Sequence, residues 1–222
     1  NNRNLADLAR HLESRLVFAH IRASTGSAVQ QTNCHPFRHG RWLWMHNGLI
    51  HDFPRLMRDL AFAVDPALYP AMEGSTDSEL FFYLALTLGL DGDPVGAVER
   101  AVGLIEATGR SHGIDNAINM TVATTDGEGM WAFRYASDGD ARSLYISGAV
   151  ETLRAQFPDN PIFERVSDDT RMIVSEPQGS LSGVWHEFPQ ASSCCIQKGH
   201  SAIQPFTPAT PAGQATLARD LI

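Results

Sequence analysis

The sequence predicts an α+β fold in which antiparallel strands pack with a block of helices. Three observations support this prediction: short apolar runs of strand length near the start, helical patterns from about residue 52 to residue 113, and repeated strand patterns after them. Strands, then helices, then strands again are typical of antiparallel sheets with segregated helices. The sequence lacks the strand–helix alternation of a parallel dinucleotide-binding sheet and contains no phosphate-binding glycine motif.

The first part of the chain is predicted to contain one helix and two strands. Apolar residues recur there at helical spacing: Leu5, Leu8, Ala9 and Leu12. The runs RLVFAHI (residues 15–21) and RWLWMHN (residues 41–47) are apolar and of strand length. The connection between them, residues 22–40, is polar, rich in glycine and proline turns, and long enough to be a functional loop.

Three helices are predicted in the central block. The segment 52–64 carries Pro54 in its first turn, where proline is tolerated. The segment 76–90 is apolar on nearly every face, as expected of a helix buried between layers. An amphipathic helix begins at Pro94 and is ended by Gly113.

The C-terminal part is predicted to be antiparallel sheet. DGEG (residues 126–129) separates two strands of a hairpin. The predicted strands lie within residues 118–125, 130–137, 143–149, 170–177 and 192–199. The proline- and threonine-rich tail, residues 204–222, is predicted to be partly extended or loosely ordered. Residues 1–222 are predicted to form a single domain.

The composition argues for a small-molecule substrate in a reducing compartment. A net charge of −8 opposes binding to nucleic acid or to an anionic membrane, which both require basic surfaces. The sequence contains three cysteines, of which Cys194 and Cys195 are adjacent, so no paired disulfide framework is expected. A reducing, cytoplasmic location is therefore predicted. No apolar run reaches the length of about 18 residues that a membrane-spanning helix needs.

The stretch WMHNGLI, residues 44–50, has two interpretations. Asn47-Gly48 between apolar residues is a strong signal for a hairpin turn, because both turn positions need positive φ. However, LIHDFP follows Gly48 and leads into the predicted helix almost at once. We therefore favour a strand that ends in Asn47 and Gly48, whose side-chain amide and backbone N–H are free to donate to the oxygen of a reacting carbonyl.

The stretch STDSE, residues 75–79, combines a structural signal with a functional one. Thr76 and Glu79 form a T-x-x-E capping box at the start of the buried helix. Asp77 then falls in the first helical turn, where the positive end of the helix dipole favours an ionised carboxylate. A carboxylate held in this way suits the binding of a substrate ammonium group.

The stretch HIRAST, residues 20–25, places Arg22 where a predicted strand meets the long polar loop. A guanidinium group presents a planar fork of donors that matches a carboxylate. A surface salt bridge is the alternative for an arginine in this position. Together, an arginine for a carboxylate, an aspartate for an ammonium and an Asn-Gly pair for a carbonyl could hold an α-amino acid while its side-chain amide is attacked.

Four segments carry a resemblance to a known family. FAHIRAST, NCHPF, MHNGLI and GSTDSELFFYLAL occur in this order within about residues 17–90. This set resembles the class II glutamine amidotransferases, which are N-terminal nucleophile hydrolases. The resemblance implies a four-layer αββα sandwich of two antiparallel sheets between helix layers.

The resemblance also implies roles for particular residues. Arg22 is expected to bind the α-carboxylate of glutamine with Thr25 nearby, and Asp77 to bind the α-amino group. Asn47 and Gly48 are expected to form the oxyanion hole of the catalytic site. No cofactor and no metal are implied. The substrate is expected to be glutamine or a γ-glutamyl compound, as in stand-alone relatives of ergothioneine synthesis or glutathione degradation, with water or a separate synthetase partner accepting the product.

The nucleophile of the family is an N-terminal cysteine whose own α-amine acts as the general base. The sequence begins instead with Asn1, and we expect that the natural polypeptide has an N-terminal strand pair carrying the cysteine. If the protein begins at Asn1, a non-catalytic domain that binds amino acids or γ-glutamyl groups is the alternative.

The cysteines present in the sequence are less favoured as nucleophiles. A catalytic dyad of Cys34 and His35 is not preferred, because sequence neighbours seldom face each other for proton transfer. Core packing is the better account of the adjacent cysteines near residue 195.

Metal binding is a further alternative, because several of the nine histidines cluster in the sequence: His35, His39, His46 and His51. No predicted helix presents two of them together with a carboxylate in the pattern of a zinc hydrolase. The amidohydrolase interpretation is therefore preferred.

Overall fold

The computed structural model describes residues 14–21, 30–161, 163, 166–177 and 183–211, together with residues 3, 4, 7 and 11. Its largest element is a six-stranded antiparallel sheet of β1 (Phe37–His39), β2 (Trp42–Ile50), β3 (Ile118–Thr125), β4 (Met130–Ala136), β8 (Ser192–Gln197) and β9 (His200–Pro205). Neighbouring strands are paired in the order β1-β2-β3-β4-β8-β9.

A second, smaller antiparallel sheet has the strand order β6-β5-β7. Its strands are β5 (Tyr145–Ser147), β6 (Ile173–Val174) and β7 (Trp185–Glu187). The helices are α1 (Phe53–Phe62), α2 (Asp77–Thr87), α3 (Pro94–Ser111) and α4 (Val150–Gln156), with short 3-10 turns at Gln31–Asn33 and Tyr69–Ala71. Among the described residues, no helix is both long and apolar enough to cross a membrane.

Helices α1, α2 and α3 cover one face of the large sheet and enclose the main core. Alternate residues of each strand point to this face, as the period of two requires. Trp44 of β2 contacts Phe81 of α2 edge-to-face with ring centroids 5.0 Å apart, and it stacks on Phe82 at 5.5 Å. Helix α2 is buried over most of its length, which is why its sequence is apolar on nearly every face.

The opposite face of the large sheet packs against the small sheet. A buried cluster joins strands β4 and β8 to strand β5: Ala132, Leu144, Ile146, Phe188, Cys194 and Ile196. A further cluster places Leu153 of α4 with Phe163 and Val184, and Trp185 of β7 packs against it. The order of layers is therefore helices, sheet, sheet and helix, which confirms the predicted α+β class with two antiparallel sheets.

The hairpin turn before β2 lies earlier in the chain than the Asn-Gly pair, which itself forms no turn. Strands β1 and β2 pair His39 with Trp42, so that Gly40 and Arg41 form the turn. Gly40 has φ of 56°, a conformation that glycine adopts without steric cost. Asn47 and Gly48 lie in a strand, as favoured from the sequence, but the predicted end of the strand at these residues is wrong, because β2 continues to Ile50 along its partner β3.

The predicted strand at residues 15–21 is absent, because this stretch has no ladder partner among the described residues. Its side chains nevertheless alternate in exposure, with Val17 68% and Ile21 98% exposed while Phe18 and His20 are half-buried. The apolar face proposed for the first helix lies outside the described residues, although residues 3, 4, 7 and 11 are helical.

The predicted helices and most C-terminal strands are confirmed, with shorter bounds than expected. Helices α1 and α2 end at Phe62 and Thr87, a few residues before the predicted ends. Strand β3 has the predicted bounds, and β4 follows it across the predicted hairpin. Elements β1, β7, β9 and α4 are short or polar, and no periodic pattern identified them in the sequence.

The first part of the C-terminal tail packs against α3. Phe206 is buried in the main core, Thr207 N–H donates to Glu99 Oε1 at 2.8 Å, and Ala209 N–H donates to the Glu99 peptide oxygen at 3.1 Å. Gly103 allows this approach, because a Cβ atom there would lie 2.4 Å from the Ala209 carbonyl carbon. Residues 212–222 lie outside the described residues.

We predict that Phe81→Ala lowers the free energy of unfolding by about 3–5 kcal/mol, because it opens a cavity between α2 and the large sheet. Phe62→Ala is the matched control, since this side chain at the end of α1 is 69% exposed. The control should lose about 0.5 kcal/mol or less. Urea denaturation of both variants measures the difference, and equal losses would contradict the proposed core.

Candidate active site

The site predicted from the sequence lies at an edge of strand β2. Strand β1 pairs only with residues 42–44 of β2. Further along β2, Ile50 N–H points away from β3 and donates to Asp77 Oδ2 at 2.8 Å, whereas His51 N–H points the other way and donates to the Ala117 peptide oxygen at 2.8 Å. Backbone N–H groups of an antiparallel strand alternate between its two edges. Gly48 N–H therefore points to the same edge as Ile50 N–H.

Asp77 is held at this edge by backbone and hydroxyl donors. Its Oδ2 accepts from Ile50 N–H, and its Oδ1 accepts from Ser78 N–H at 2.8 Å and, at 3.4 Å, from Ser78 Oγ. None of the ion pairs found among the described residues includes Asp77. A carboxylate has about four lone-pair positions, so one position is left for a further donor.

Only one of the two hydrogen bonds of the predicted capping box forms at the N-terminus of α2. Thr76 is the N-cap, and its Oγ1 accepts from Glu79 N–H at 3.1 Å. The buried Glu79 carboxylate does not complete a capping box by turning back to Thr76. It accepts from Glu73 N–H at 2.9 Å and from Gly74 N–H at 2.7 Å, because these preceding turn donors lie in the same buried corner. Glu79 thereby fixes the turn that delivers Asp77 to β2.

The NCHPF segment is tied to the same turn by Asn33. This fully buried residue accepts from Ser75 N–H through its Oδ1 at 3.0 Å. His35 follows, with its ring 4.6 Å from that of Phe37 and 4.3 Å from that of His20. The long polar loop and the start of α2 are therefore joined, which the sequence did not reveal.

The Asn47 side chain has a defined contact on the face of β2 that looks toward the small sheet. Its Oδ1 accepts from Arg142 Nη1 at 3.2 Å, and its peptide oxygen accepts from Thr121 Oγ1 at 3.3 Å. Sequence reasoning missed Arg142, because it lies 95 residues from Asn47 and follows no recognisable motif.

Gly48 is required by the close approach of strand β3. A Cβ atom at this position would lie 2.0 Å from the Asn119 peptide oxygen and 2.7 Å from His46 Nε2. Contacts under about 3 Å are not tolerated by side-chain carbon, so any other residue would force the two strands apart. Glycine is thus needed here for space, and not for the hairpin turn that Asn-Gly first suggests.

His46 is buried beneath the site and contacts α2. Its Nδ1 lies 2.9 Å from Ser78 Oγ, so it joins the hydrogen-bonded group around Asp77. Burial lowers the pKa of His46 from its ordinary value, although the Asp77 carboxylate and the Asn119 backbone act in the opposite direction. The ring is therefore neutral at physiological pH, and its role is to pack between β2 and α2.

The structure brings together three of the five predicted site residues: Asn47, Gly48 and Asp77. Arg22 and Thr25 lie outside the described residues, so their roles stay predictions.

Two of the three cysteines are poor nucleophiles. Cys194 is buried between the sheets, and burial together with the neighbouring Cys195 raises its pKa to about 11. Burial also raises the pKa of Cys195, which is half-buried. On β8, Cys194 points into the core between the sheets and Cys195 points to the opposite face, which agrees with the prediction that these cysteines serve in core packing. Cys34 is exposed, and its Sγ donates to the Gln30 peptide oxygen at 3.4 Å.

Comparison with known proteins identifies the family. A family model described as class-II glutamine amidotransferases matches residues 1–145. The chain therefore belongs to the class II glutamine amidotransferases, as the resemblance of the four segments indicated.

Two curated relatives are similar to the chain. The probable glutamine amidotransferase DUG3 of Saccharomyces cerevisiae is 33% identical over 93% of this chain and 64% of its own length. The gamma-glutamyl-hercynylcysteine sulfoxide hydrolase of Mycolicibacterium smegmatis is 30% identical over 56% of this chain and 50% of its own length. The chain thus matches less than two thirds of the length of either relative.

Two solved structures resemble the fold. A glutamine aminotransferase class-II domain protein from Silicibacter pomeroyi has a TM-score of 0.75 and 32% identity, covering 94% of this chain and 82% of its own. The glutamine phosphoribosylpyrophosphate amidotransferase of B. subtilis has a TM-score of 0.53 at 13% identity, covering 86% of this chain and 35% of its own. The second likeness concerns the fold alone.

We predict that His46 makes stability depend on pH in the mildly acidic range. The unfolded chain takes up a proton on this histidine near its ordinary pKa of 6.5, whereas the folded protein resists protonation. The contribution is present above about pH 6.5 and is lost as the pH falls toward the lower folded pKa. Urea denaturation between about pH 5 and 8 should show a flatter pH dependence for His46→Gln than for the parent protein.

The matched control is His200→Gln on the exposed strand β9. This variant should keep the pH dependence of the parent protein. An unchanged slope in His46→Gln would contradict the buried, neutral state of this ring.

Proposed function

We propose that this protein is an amidohydrolase that cleaves the side-chain amide of glutamine or of a γ-glutamyl compound through a cysteine thioester. The observation that carries the proposal is the hydrogen bond from Ile50 N–H to Asp77 Oδ2. It fixes a carboxylate beside the strand edge to which Gly48 N–H also points. One edge thus offers an acceptor for an ammonium group and a donor for a carbonyl oxygen.

The spacing along β2 suits a glutamyl group. Positions Gly48 and Ile50 are two residues apart on the same edge, which corresponds to about 7 Å in an antiparallel strand. The α-nitrogen and the side-chain carbonyl carbon of an extended glutamine are separated by about 5 Å across four covalent bonds. With hydrogen bonds at both ends, the ammonium group can reach Asp77 while the carbonyl oxygen lies at Gly48.

Arg22 and Thr25 are proposed to bind the α-carboxylate of the same substrate. Both follow the stretch that ends at Ile21, and His20 within that stretch contacts His35 with ring centroids 4.3 Å apart. The chain that leads to Arg22 therefore passes beside the NCHPF segment, which Asn33 ties to the turn before Asp77. This connection supports a shared pocket for the two charged ends of the amino acid.

The proposed reaction begins with attack of a cysteine thiolate on the γ-carbonyl carbon. The oxygen of the tetrahedral intermediate accepts hydrogen bonds from Gly48 N–H and Asn47 Nδ2. The C–N bond then breaks, the amine leaves with a proton, and a thioester remains. Water hydrolyses this thioester to release glutamate and regenerate the thiol.

The nucleophile is proposed to be the N-terminal cysteine of the family, acting with its own α-amine as the base. Cys194 and Cys195 are unsuited to this role by their raised pKa values. They also lie on β8, three strand spacings from β2, or about 14 Å away. Cys34 belongs to the loop that Asn33 ties to α2, and we assign it no chemical step.

The substrate class is proposed from the curated relatives. The names of the yeast and mycobacterial proteins refer to glutamine amidotransferase activity and to hydrolysis of a γ-glutamyl-hercynylcysteine sulfoxide. Both reactions cleave an amide at the γ-carbonyl of a glutamyl group, and the edge of β2 recognises features common to both. The released ammonia or amine is proposed to pass to water or to a separate synthetase partner.

We predict that Asn47→Ala lowers kcat by about 100-fold or more, because one oxyanion donor is removed.

Asp77→Asn keeps the shape of the side chain and one of its two acceptor oxygens, and it removes the charge that attracts the ammonium group. It should weaken substrate binding by about 10- to 150-fold, the value of a charge-assisted hydrogen bond. Release of glutamate by the full-length protein from glutamine, glutathione and γ-glutamyl amides measures both effects.

Cys34→Ser serves as the control and should retain activity. Unchanged turnover in a folded Asn47→Ala variant would refute the oxyanion assignment, whereas complete loss of activity in Cys34→Ser would identify Cys34 as the nucleophile. If the full-length protein binds γ-glutamyl compounds without ever releasing glutamate, it is a binding domain and not an enzyme.

A further inference from the structure

We propose that Arg142 is a positioning residue that sets the orientation of the Asn47 amide. The proposal rests on the proposed function, in which Asn47 Nδ2 donates to the oxygen of the intermediate. Arg142 lies between β4 and β5 and reaches the strand edge from the side of the small sheet. In this role it acts through Asn47, whose side-chain oxygen it contacts.

In the hydrogen bond between the two side chains, Arg142 can only be the donor and Asn47 only the acceptor. Arg142 Nη1 lies 3.2 Å from Asn47 Oδ1. A guanidinium group has five donors and no acceptor, so the amide atom that faces it must be the oxygen. The Asn47 amino group is then directed to the other side of the amide. Without this cation, the amide could turn over and present its oxygen to a negatively charged intermediate.

The backbone of Arg142 is anchored to strand β3. Arg142 N–H donates to Asn119 Oδ1 at 3.2 Å, and Asn119 Nδ2 donates to the Asp140 peptide oxygen at 2.8 Å. Asn119 is also the residue whose peptide oxygen lies against Gly48. One residue of β3 therefore fixes both the space at Gly48 and the loop that carries Arg142.

A buried arginine holds the same loop from the other side. Arg134 of β4 donates to the peptide oxygens of Arg142 at 2.8 Å and of Ala141 at 3.0 Å, and also to that of Phe188. Its Nη1 forms an ion pair with Glu187 Oε1 at 2.8 Å. Because Arg134 is buried, these bonds fix the loop firmly. The exposed Arg142 side chain thus extends from a rigid base, which is what a positioning role requires.

A double-mutant cycle on thermal stability tests the contact without relying on activity. Asn47→Asp replaces the amide with a carboxylate of the same shape, which should form an ion pair with Arg142. Arg142→Met should therefore lower Tm by about 2 °C or more beyond its effect in the parent protein when it is introduced into the Asn47→Asp variant. Equal Tm shifts in the two backgrounds would overturn the proposed contact.

Kinetics of the full-length protein test the consequence for catalysis. Arg142→Met should lower kcat by about 10- to 100-fold, the value of a hydrogen bond to a charged group, with little change in KM. Arg142→Lys should restore part of the loss, because an ammonium group is also a donor without an acceptor. In the Asn47→Ala background, Arg142→Met should cause no further loss of kcat, since the two residues act as a unit.

Arg58→Met is the matched control, because Arg58 is an exposed arginine that lies over the Phe62 ring. It should leave kcat and KM unchanged. A rise in KM for Arg142→Met with unchanged kcat would overturn the positioning role and indicate that Arg142 contributes to substrate binding instead. If the parent protein releases no glutamate, the proposed function fails, and the thermal cycle still decides whether Arg142 contacts the side chain at position 47.

Discussion

The hydrogen bond between Ile50 N–H and Asp77 Oδ2 is the interaction on which the arrangement of the site depends. Strand β1 is short and leaves the far end of β2 without a strand neighbour on that edge in the described part of the chain. An exposed strand edge carries backbone groups that need partners. Here the first turn of α2 supplies one partner, and it does so with a charged side chain.

Several buried polar side chains fix the position of α2 relative to this edge of β2. Glu79 accepts from two backbone N–H groups of the turn before α2, and Asn33 accepts from a third. On the other face of the large sheet, Arg134 donates to backbone carbonyls of the loop that carries Arg142. Burial of a polar side chain costs free energy unless the side chain has hydrogen-bond partners. Each of these side chains therefore fixes the loop whose backbone groups it binds. The site is thus built from irregular segments that are held by the rigid sheet.

The sequence predicted the fold class because periodicity reports burial directly. The apolar helix α2 and the strand-length runs of β3 and β4 on either side of DGEG follow such patterns, and the structure confirms them. The Asn-Gly pair shows the limit of local reasoning, because the turn preference of these two residues was overridden by the pairing of β2 with β3 from Leu43 to Ile50. The actual turn contains Gly40, which lacks the Asn-Gly signature.

The contacts that complete the site connect distant parts of the chain, and this is why the sequence could not predict them. Asn33 reaches Ser75 across 42 residues, and Arg142 reaches Asn47 across 95. Glu79 was assigned to a capping box on its spacing, but its carboxylate found closer donors in Glu73 and Gly74. Spacing identifies residues that can interact within one turn of a helix, whereas tertiary packing decides which partner they take.

A crystal structure of the full-length protein with bound L-glutamate is the direct test of the proposed role of the β2 edge. The ligand should lie along the free edge of β2, with its ammonium group within hydrogen-bond distance of the Asp77 carboxylate. One oxygen of its γ-carboxylate should lie about 3 Å from Gly48 N and from Asn47 Nδ2. Glutamate bound elsewhere, or bound here with its γ-carboxylate at Asp77 and its ammonium group at Asn47, would contradict the proposed substrate site.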